Sequence, residues 1–198
     1  MDYKLLIALL IPLAGTLGVM FKGDNENVRE GISSVSSILL LIVVGTMVPD
    51  VWHGKTLIFH MFTILPGVSV TLRADSMSMI FAIVASSLWT IAVFYSMGYM
   101  RGLKEHAQTR FNACFALAIF GAIGVAFSDN LFTLYLFYEV VSVCTYPLVA
   151  HHQDDEGYSG ARKYIIYLTT TAKAFLLPAM ILIYVLTGTL DFAPNCTT

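Results

Sequence analysis

The feature that most constrains this chain is where its charges are absent. Six stretches are long, apolar and nearly free of ionisable side chains: Leu5–Phe21, Ile32–Val48, Ser76–Met100, Phe111–Ser128, Leu131–Ala150 and Tyr164–Leu190. A helix needs about 20 mostly apolar residues to cross a bilayer's hydrocarbon core, which is about 30 Å thick. The 198 residues hold 11 Lys/Arg and 13 Asp/Glu, yet the six windows admit one acid, Glu139, and one base, Lys173. The charged share is 12%, against about 25% in an average soluble domain. So few charges cannot clothe a water-soluble surface. The expected fold is all-α and integral to a membrane, with six transmembrane helices in a single domain over 1–198.

The first window could pass for a signal peptide, but its basic flank is a single Lys4 and Leu13-Ala14-Gly15 is a poor cleavage site. It reads as an uncleaved first helix. A seventh apolar run, Thr56–Leu72, is interrupted by Pro66-Gly67 and is rich in β-branched and aromatic residues, among them Ile58, Phe59, Phe62, Thr63, Val68 and Val70. Pro-Gly is turn chemistry. A hairpin exposed to lipid would leave backbone groups unpaired. The run therefore predicts a β-hairpin or extended loop at the membrane surface, between helices 2 and 3.

Orientation follows the positive-inside rule. With the N-terminus outside, the inner connections hold Lys22, Arg29, Arg101, Lys104, Arg110, Arg162 and Lys163, and the outer ones only Lys4, Lys55 and Arg73. Both termini and the hairpin are thus expected on the outer side of a cell (inner) membrane. Asp75-Ser76 and Ser128-Asp129-Asn130 offer N-caps for the third and fifth helices. The short connection His151–Ala161 predicts that helices five and six form an antiparallel pair.

The two intramembrane charges are the candidate site. Glu139 lies about 15 Å of helix beyond Asp129, near the bilayer midplane, and Lys173 reaches a similar depth from Lys163 on the other side. A charge at mid-membrane costs roughly 2.5–3.5 kcal/mol even on lenient insertion scales and marks a pathway, a relay or a pairing. On an ideal helical wheel Tyr135, Ser142 and Tyr146 fall near Glu139, and Thr169, Thr170 and Tyr184 near Lys173. Pro147 and Pro178 each free a carbonyl one turn earlier; for Pro178 it is that of Ala174, beside Lys173. Burial favours the neutral form of each charge and an opposite neighbour favours the ionised form. A carboxyl that moves between these states carries protons; one locked to Lys173 is a static ion pair joining two helices. Both readings stay open.

Other chemistries lack their residues. Net charge is −2, which excludes nucleic-acid binding as a driving role. Cys114, Cys144 and Cys196 are scattered, with neither a disulfide framework nor a metal-binding pair. His151-His152 before Asp154-Asp155-Glu156 matches no zinc or iron spacing and reads as a solvated loop, with a proton-collecting antenna at the inner surface as the sharper alternative. His53, His60 and His106 fall outside the windows, so buried axial ligands for haem are missing. Phosphate-loop and nucleophile motifs are absent. No cofactor and no metal are expected, and a self-contained membrane enzyme or receptor finds no ligand constellation.

The segments LPGVSVTLRADSMSMIFAIVA (65–85), YSMGYM (95–100), RFNACFALAIFGAIGVAFSDNLFTLYLFYEVVSVCTYPLVAHH (110–152) and YVLTGTLDFA (184–193) together resemble the antiporter-like membrane subunits. These are shared by respiratory complex I, Mrp-type cation/proton antiporters and membrane-bound hydrogenases, and the resemblance leans to the Mrp D-type. It implies a subunit of a multisubunit proton- or cation-translocating complex. Glu139 would match the family's fifth-helix glutamate, and the Pro66-Gly67 run its outer hairpin, which stitches neighbouring subunits together. Family members are more than twice this length. Their seventh helix and its lysine have no counterpart here, and Lys173, on the sixth, does not match that lysine. A split subunit with a separate chain supplying the second half, a shortened subunit with an adapted role, and a truncated piece are the three explanations. The implied partners are other membrane subunits and the lipid bilayer. Driving energy would come from a redox partner or an opposing ion gradient, the chain itself being a non-catalytic part of the larger complex. The rival expectation is a structural subunit of a respiratory or hydrogenase complex, with Glu139–Lys173 as static glue.

Overall fold

The computed structural model describes residues 3–23, 25–103 and 107–192. In chain order it has α1 (Tyr3–Lys22), α2 (Glu26–Trp52), β1 (Leu57–Leu65), β2 (Val68–Ala74), α3 (Ser76–Leu103), α4 (Gln108–Ala126), α5 (Leu131–Val149), α6 (Asp155–Thr171), a π-helical turn (Ala172–Leu176) and α7 (Leu177–Thr187). Among the described residues, six helices are long and apolar enough to span a membrane, the sixth running from Asp155 through the π turn to Thr187. The six expected spans and the hairpin between the second and third are all present. Lys104, His106 and Cys196, which the sequence placed in connections or at the C-terminus, lie outside the described residues.

Helices α1 to α4 form the core, around Leu5, Leu9, Leu40, Val44, Met47, Trp89, Val93, Ile123 and Phe127. Small residues let the backbones close up, as at membrane helix interfaces generally. A Cβ on Gly15 would stand 2.6 Å from Ser36 Oγ on α2, and one on Gly124 of α4 would stand 2.2 Å from the Phe137 ring on α5. The sixth span is the exception. Only 11% of its most apolar window is buried within the chain.

The helices outrun the charge-free windows. α2 begins at Glu26 and α6 at Asp155, capped by Asp154, whose Oδ1 accepts from the Gly157 N–H at 2.6 Å. Arg29, Arg101, Arg162 and Lys163 are therefore helical residues rather than loop residues. A helix keeps its own hydrogen bonds as it leaves the hydrocarbon, so charged turns extend it at no backbone cost. Two of these arginines lock elements together. Arg101 Nε and Nη2 donate to the two carboxylate oxygens of Glu30, each at 2.8 Å, which ties α3 to α2. Arg29 is 5% exposed. It donates to the Gly23 carbonyl at 3.1 Å and to Gln108 Oε1, joining the end of α1 to the start of α4.

β1 and β2 form an antiparallel hairpin with register shifts at His60/Phe62 and Thr63/Leu65. Gly67 has φ +79°, the left-handed value that a Pro-Gly turn requires at its second central residue. The hairpin is the hub of its end of the bundle. The β2 backbone bonds to the α4–α5 connection: Arg73 N–H to Phe127 O at 2.7 Å and Asp129 N–H to Thr71 O at 3.1 Å. The hairpin tip bonds to the end of the sixth span, Leu190 N–H to Gly67 O at 3.2 Å and Tyr184 OH to Pro66 O at 2.9 Å.

Candidate functional site: a charged cleft between the fifth and sixth spans

Helix α5 is set on the hairpin by a buried cap. Asn130 Oδ1 accepts from the Thr133 N–H at 2.8 Å while its Nδ2 donates to the Ser69 carbonyl at 2.8 Å. Phe137 then packs against the Gly121–Gly124 stripe of α4 and is 3% exposed. Glu139 lies two residues further, about 200° round the helix, and so faces away from α4 towards α6.

The sixth span carries Lys173 on its π turn, where the Leu177 N–H bonds to the Ala172 carbonyl five residues back. Pro178 follows at once. It has no N–H to give Ala174, and its ring would crowd that carbonyl in an α-helix; the wider turn relieves both. Single π turns inside helices recur at functional sites.

Glu139 and Val143 of α5, Ile165, Ile166, Thr169 and Thr170 of α6, and Lys173 line an open cleft of about 350 Å³. Glu139, Lys173 and both threonines thus share one space, as the wheel placed them. One water needs about 10–15 Å³ of such volume. Glu139 Oε1 is buried without a hydrogen-bond partner among protein atoms. Glu139 and Lys173 form no ion pair within 4.0 Å; the pairs among the described residues are Lys4–Asp50, Lys55–Asp50, Arg73–Asp129 and Arg101–Glu30. Lys173 is exposed.

The other wheel neighbours behave differently. Tyr135 lies beside Glu139 but packs with the cluster of Val68, Met180 and Leu190 at the hairpin end. Ser142 is 1% exposed, and its hydroxyl donates to Tyr138 O at 3.0 Å, within its own helix. Tyr146 is half-buried and does not line the cleft. Tyr184 is not near Lys173: it holds the hairpin tip. The wheel gives direction only: Tyr184 lies eleven residues beyond Lys173, about 16 Å along the helix. His152 is exposed, whereas His151 is half-buried with its ring against Phe111, and its carbonyl accepts from Arg110 Nη2 at 2.9 Å. Thr145 and Tyr164, whose hydroxyls lie 3.0 Å apart, join α5 to α6 and carried no sequence signal beyond being polar at window edges.

A second cavity, about 410 Å³, lies at the hairpin end and is lined by Arg73, Asp75, Ser78, Ser128 and Asp129 with apolar neighbours. Burial pushes the Asp129 carboxyl above its ordinary value, outweighing Arg73, and Asp191 and Asp75 add to the effect. For Asp75 burial acts the same way, but hydrogen bonds from Ser78 and the charge of Arg73 prevail and hold it low.

The structure defines a class: multi-pass helical membrane proteins with an acid and a base lining one cleft within the spans. The comparisons narrow it. The family model described as NADH:quinone oxidoreductase/Mrp antiporter, TM matches residues 128–197, and that described as NADH-Ubiquinone oxidoreductase (complex I), chain 5 N-terminus matches 66–112. The chain is 26% identical over 192 residues to the putative antiporter subunit mnhA2 of Staphylococcus aureus strain JH9, covering 93% of this chain and 23% of the relative. The same figures hold for mnhA2 of strain NCTC 8325. In fold it is similar to a chain of the membrane-bound sulfane sulfur reductase, an archaeal respiratory membrane complex, with TM-score 0.82 and 21% identity over 94% of this chain and 38% of that one. The chain is similar to the antiporter-like membrane subunits to which these models and relatives point. It spans about a quarter of the length of the curated relatives it matches.

Proposed function

We propose that this chain is a membrane subunit of a multisubunit proton- or cation-translocating complex in which Glu139 is the mid-membrane proton carrier. The observation that carries this reading is the Glu139 carboxyl itself. It sits in a cleft with Lys173, Thr169 and Thr170, has one oxygen buried and unpartnered, and is not neutralised by a direct ion pair. A static helix-joining pair would close to contact, because two desolvated charges recover their solvation cost only at short range. A separated pair in a cleft roomy enough for water leaves the carboxyl free to gain and lose a proton, with Lys173 biasing the exchange. Thr169 and Thr170 would hold the water. Energy would come from a redox partner or an opposing ion gradient supplied by other membrane subunits.

The test is Glu139→Gln in the native complex, with proton movement measured in inverted membrane vesicles and assembly scored by co-purifying subunits. Loss of transport with assembly intact is expected. Normal transport in assembled Glu139→Gln complexes refutes the carrier role, and loss of assembly instead would favour a structural subunit, with Glu139 as helix glue. The positive-inside asymmetry supports an orientation with the N-terminus and hairpin outside. Labelling from opposite sides of Lys55→Cys and Gly157→Cys would check it: Lys55→Cys should react from outside, Gly157→Cys from inside, and the reverse pattern overturns the orientation.

A further inference from the structure

Thr145 Oγ1 and Tyr164 OH, 3.0 Å apart, make the one side-chain hydrogen bond between α5 and α6 among the described residues. Thr145 is six residues beyond Glu139, about 9 Å along α5, on the side of the α5–α6 turn. Tyr164 immediately precedes Ile165, which lines the Glu139 cleft. The hydroxyl pair therefore stands between that cleft and the face carrying the exposed His152, Asp154, Asp155 and Glu156.

Its proton arrangement is ambivalent. Thr145 Oγ1 also lies 2.9 Å from the Val141 carbonyl and 3.2 Å from the Ser142 carbonyl. A threonine hydroxyl has one proton. When that proton goes to Val141 O, Tyr164 is the donor of the pair; when it turns to Tyr164, the tyrosine proton is free to leave in another direction. The polarity of the pair reverses with no movement of a heavy atom, which is what a proton wire requires. Two or three waters at hydrogen-bond spacing of about 2.8 Å would cover the remaining distance to Glu139.

We propose that Thr145 and Tyr164 are the proton relay between the Glu139 cleft and the α5–α6 turn face. An incoming proton leaves a water and bonds to one hydroxyl oxygen. That oxygen's own proton crosses to the second hydroxyl, whose proton passes to the next water. Three O–H bonds break and three form, both hydroxyls end neutral, and nothing is oxidised or reduced. This inference rests on the reading of Glu139 as carrier.

The experiment compares Tyr164→Phe, Thr145→Val and Thr145→Ser with wild type and Glu139→Gln in vesicles of the native complex. Tyr164→Phe and Thr145→Val should each slow translocation per assembled complex by about fivefold, the rate equivalent of one hydrogen bond, and change the solvent deuterium isotope effect. Thr145→Ser, which keeps the hydroxyl, should retain the rate and the isotope effect. A bond that merely staples the helices predicts less assembled complex with an unchanged rate per complex, and that result overturns the relay. So does wild-type behaviour of Tyr164→Phe and Thr145→Val where Glu139→Gln is inactive; in that case Glu139 remains the carrier and only the relay falls. Normal pumping by Glu139→Gln refutes the carrier and the relay with it.

Discussion

Replacing Gly67 by Ala should unlatch the sixth span from the hairpin. Gly67 has φ +79°, and a Cβ there would stand 2.1 Å from the Gly188 carbonyl oxygen and 3.2 Å from its carbon. Left-handed backbone costs an L-residue about 1–2 kcal/mol. The clash is with backbone rather than with a flexible side-chain end, so the segment 188–190 must retreat, at the roughly 1–3 kcal/mol typical of overpacking. Retreat also strains the Leu190–Gly67 and Tyr184–Pro66 hydrogen bonds, worth about 1 kcal/mol each. Allowing for overlap between these effects, the loss is roughly 2–5 kcal/mol, or a melting shift of roughly 4–20 °C for a chain of this size. The assay is thermal unfolding of the purified complex, with hydrogen exchange resolved over 184–192. Gly98→Ala is the internal control. Gly98 sits in α3 with nothing within 4 Å of an added Cβ, and alanine there should be neutral or stabilising by about 0.5–1 kcal/mol. If Gly67→Ala melts with Gly98→Ala, or if exchange over 184–192 stays unchanged, the latch is not what holds the sixth span.

Three further outcomes are expected. Gly124→Val should destabilise by about 1–3 kcal/mol, because its Cβ would lie 2.2 Å from the Phe137 ring, and Phe137→Leu should recover part of the loss in the same melting assay. The carboxyl of Asp129 is raised above the ordinary 3.8, so the folded state holds this proton more tightly than the unfolded state, and stability from this group falls as pH rises from 3.8 through the folded value. Asp129→Asn should remove that slope, while Asp75, held below 3.8, gives the opposite sign and loses its contribution as pH falls below 3.8; melting curves of the two Asn variants across pH separate them. Pro178→Ala should let the Ala172–Leu176 turn tighten towards α-helix, lowering transport while the complex still assembles; cross-linking of a Val143→Cys/Thr170→Cys pair reports the change, and an unaltered cross-link would show that packing rather than the proline sets the π turn.

How much of this was legible in the sequence differs by element. The six spans were readable because water and hydrocarbon sort charges with little ambiguity, and the hairpin because Pro66-Gly67 admits few backbones. Helix ends were not, because a charge count marks the hydrocarbon boundary and says nothing of the hydrogen bonds that carry α2 back to Glu26 or α6 back to Asp155. The sharing of one cleft by Glu139, Thr169, Thr170 and Lys173 followed from depth and spacing. The misplacement of Tyr184 followed from a wheel that carries direction without depth, since eleven residues are about 16 Å of helix; of the π turn the sequence showed only Pro178. Arg29 and the Thr145–Tyr164 pair depend on which helices adjoin, a tertiary fact that a single sequence leaves open.

The two walls of the cleft are held differently. The span bearing Lys173 is fixed at its ends: by the Asp154 cap and the Thr145–Tyr164 bond at one side, and by Tyr184, Gly188 and Leu190 on the hairpin at the other. Between these anchors it buries little apolar surface within the chain, so its middle is held mainly by its own backbone bonds, and those are at their least regular in the π turn at Ala172–Leu176. Helix α5 is the reverse case, packed on α4 with Val141 and Phe137 close against Gly121 and Gly124. Glu139 is thus carried on the rigid wall and Lys173 on the compliant one. On the proposed reading, a small change in that turn would alter the separation of the two charges without moving the carboxyl. Their interaction scales inversely with distance and with local dielectric, so such a change would alter the pull of Lys173 on the carboxylate. Separation, rather than contact, is therefore the informative state of this pair.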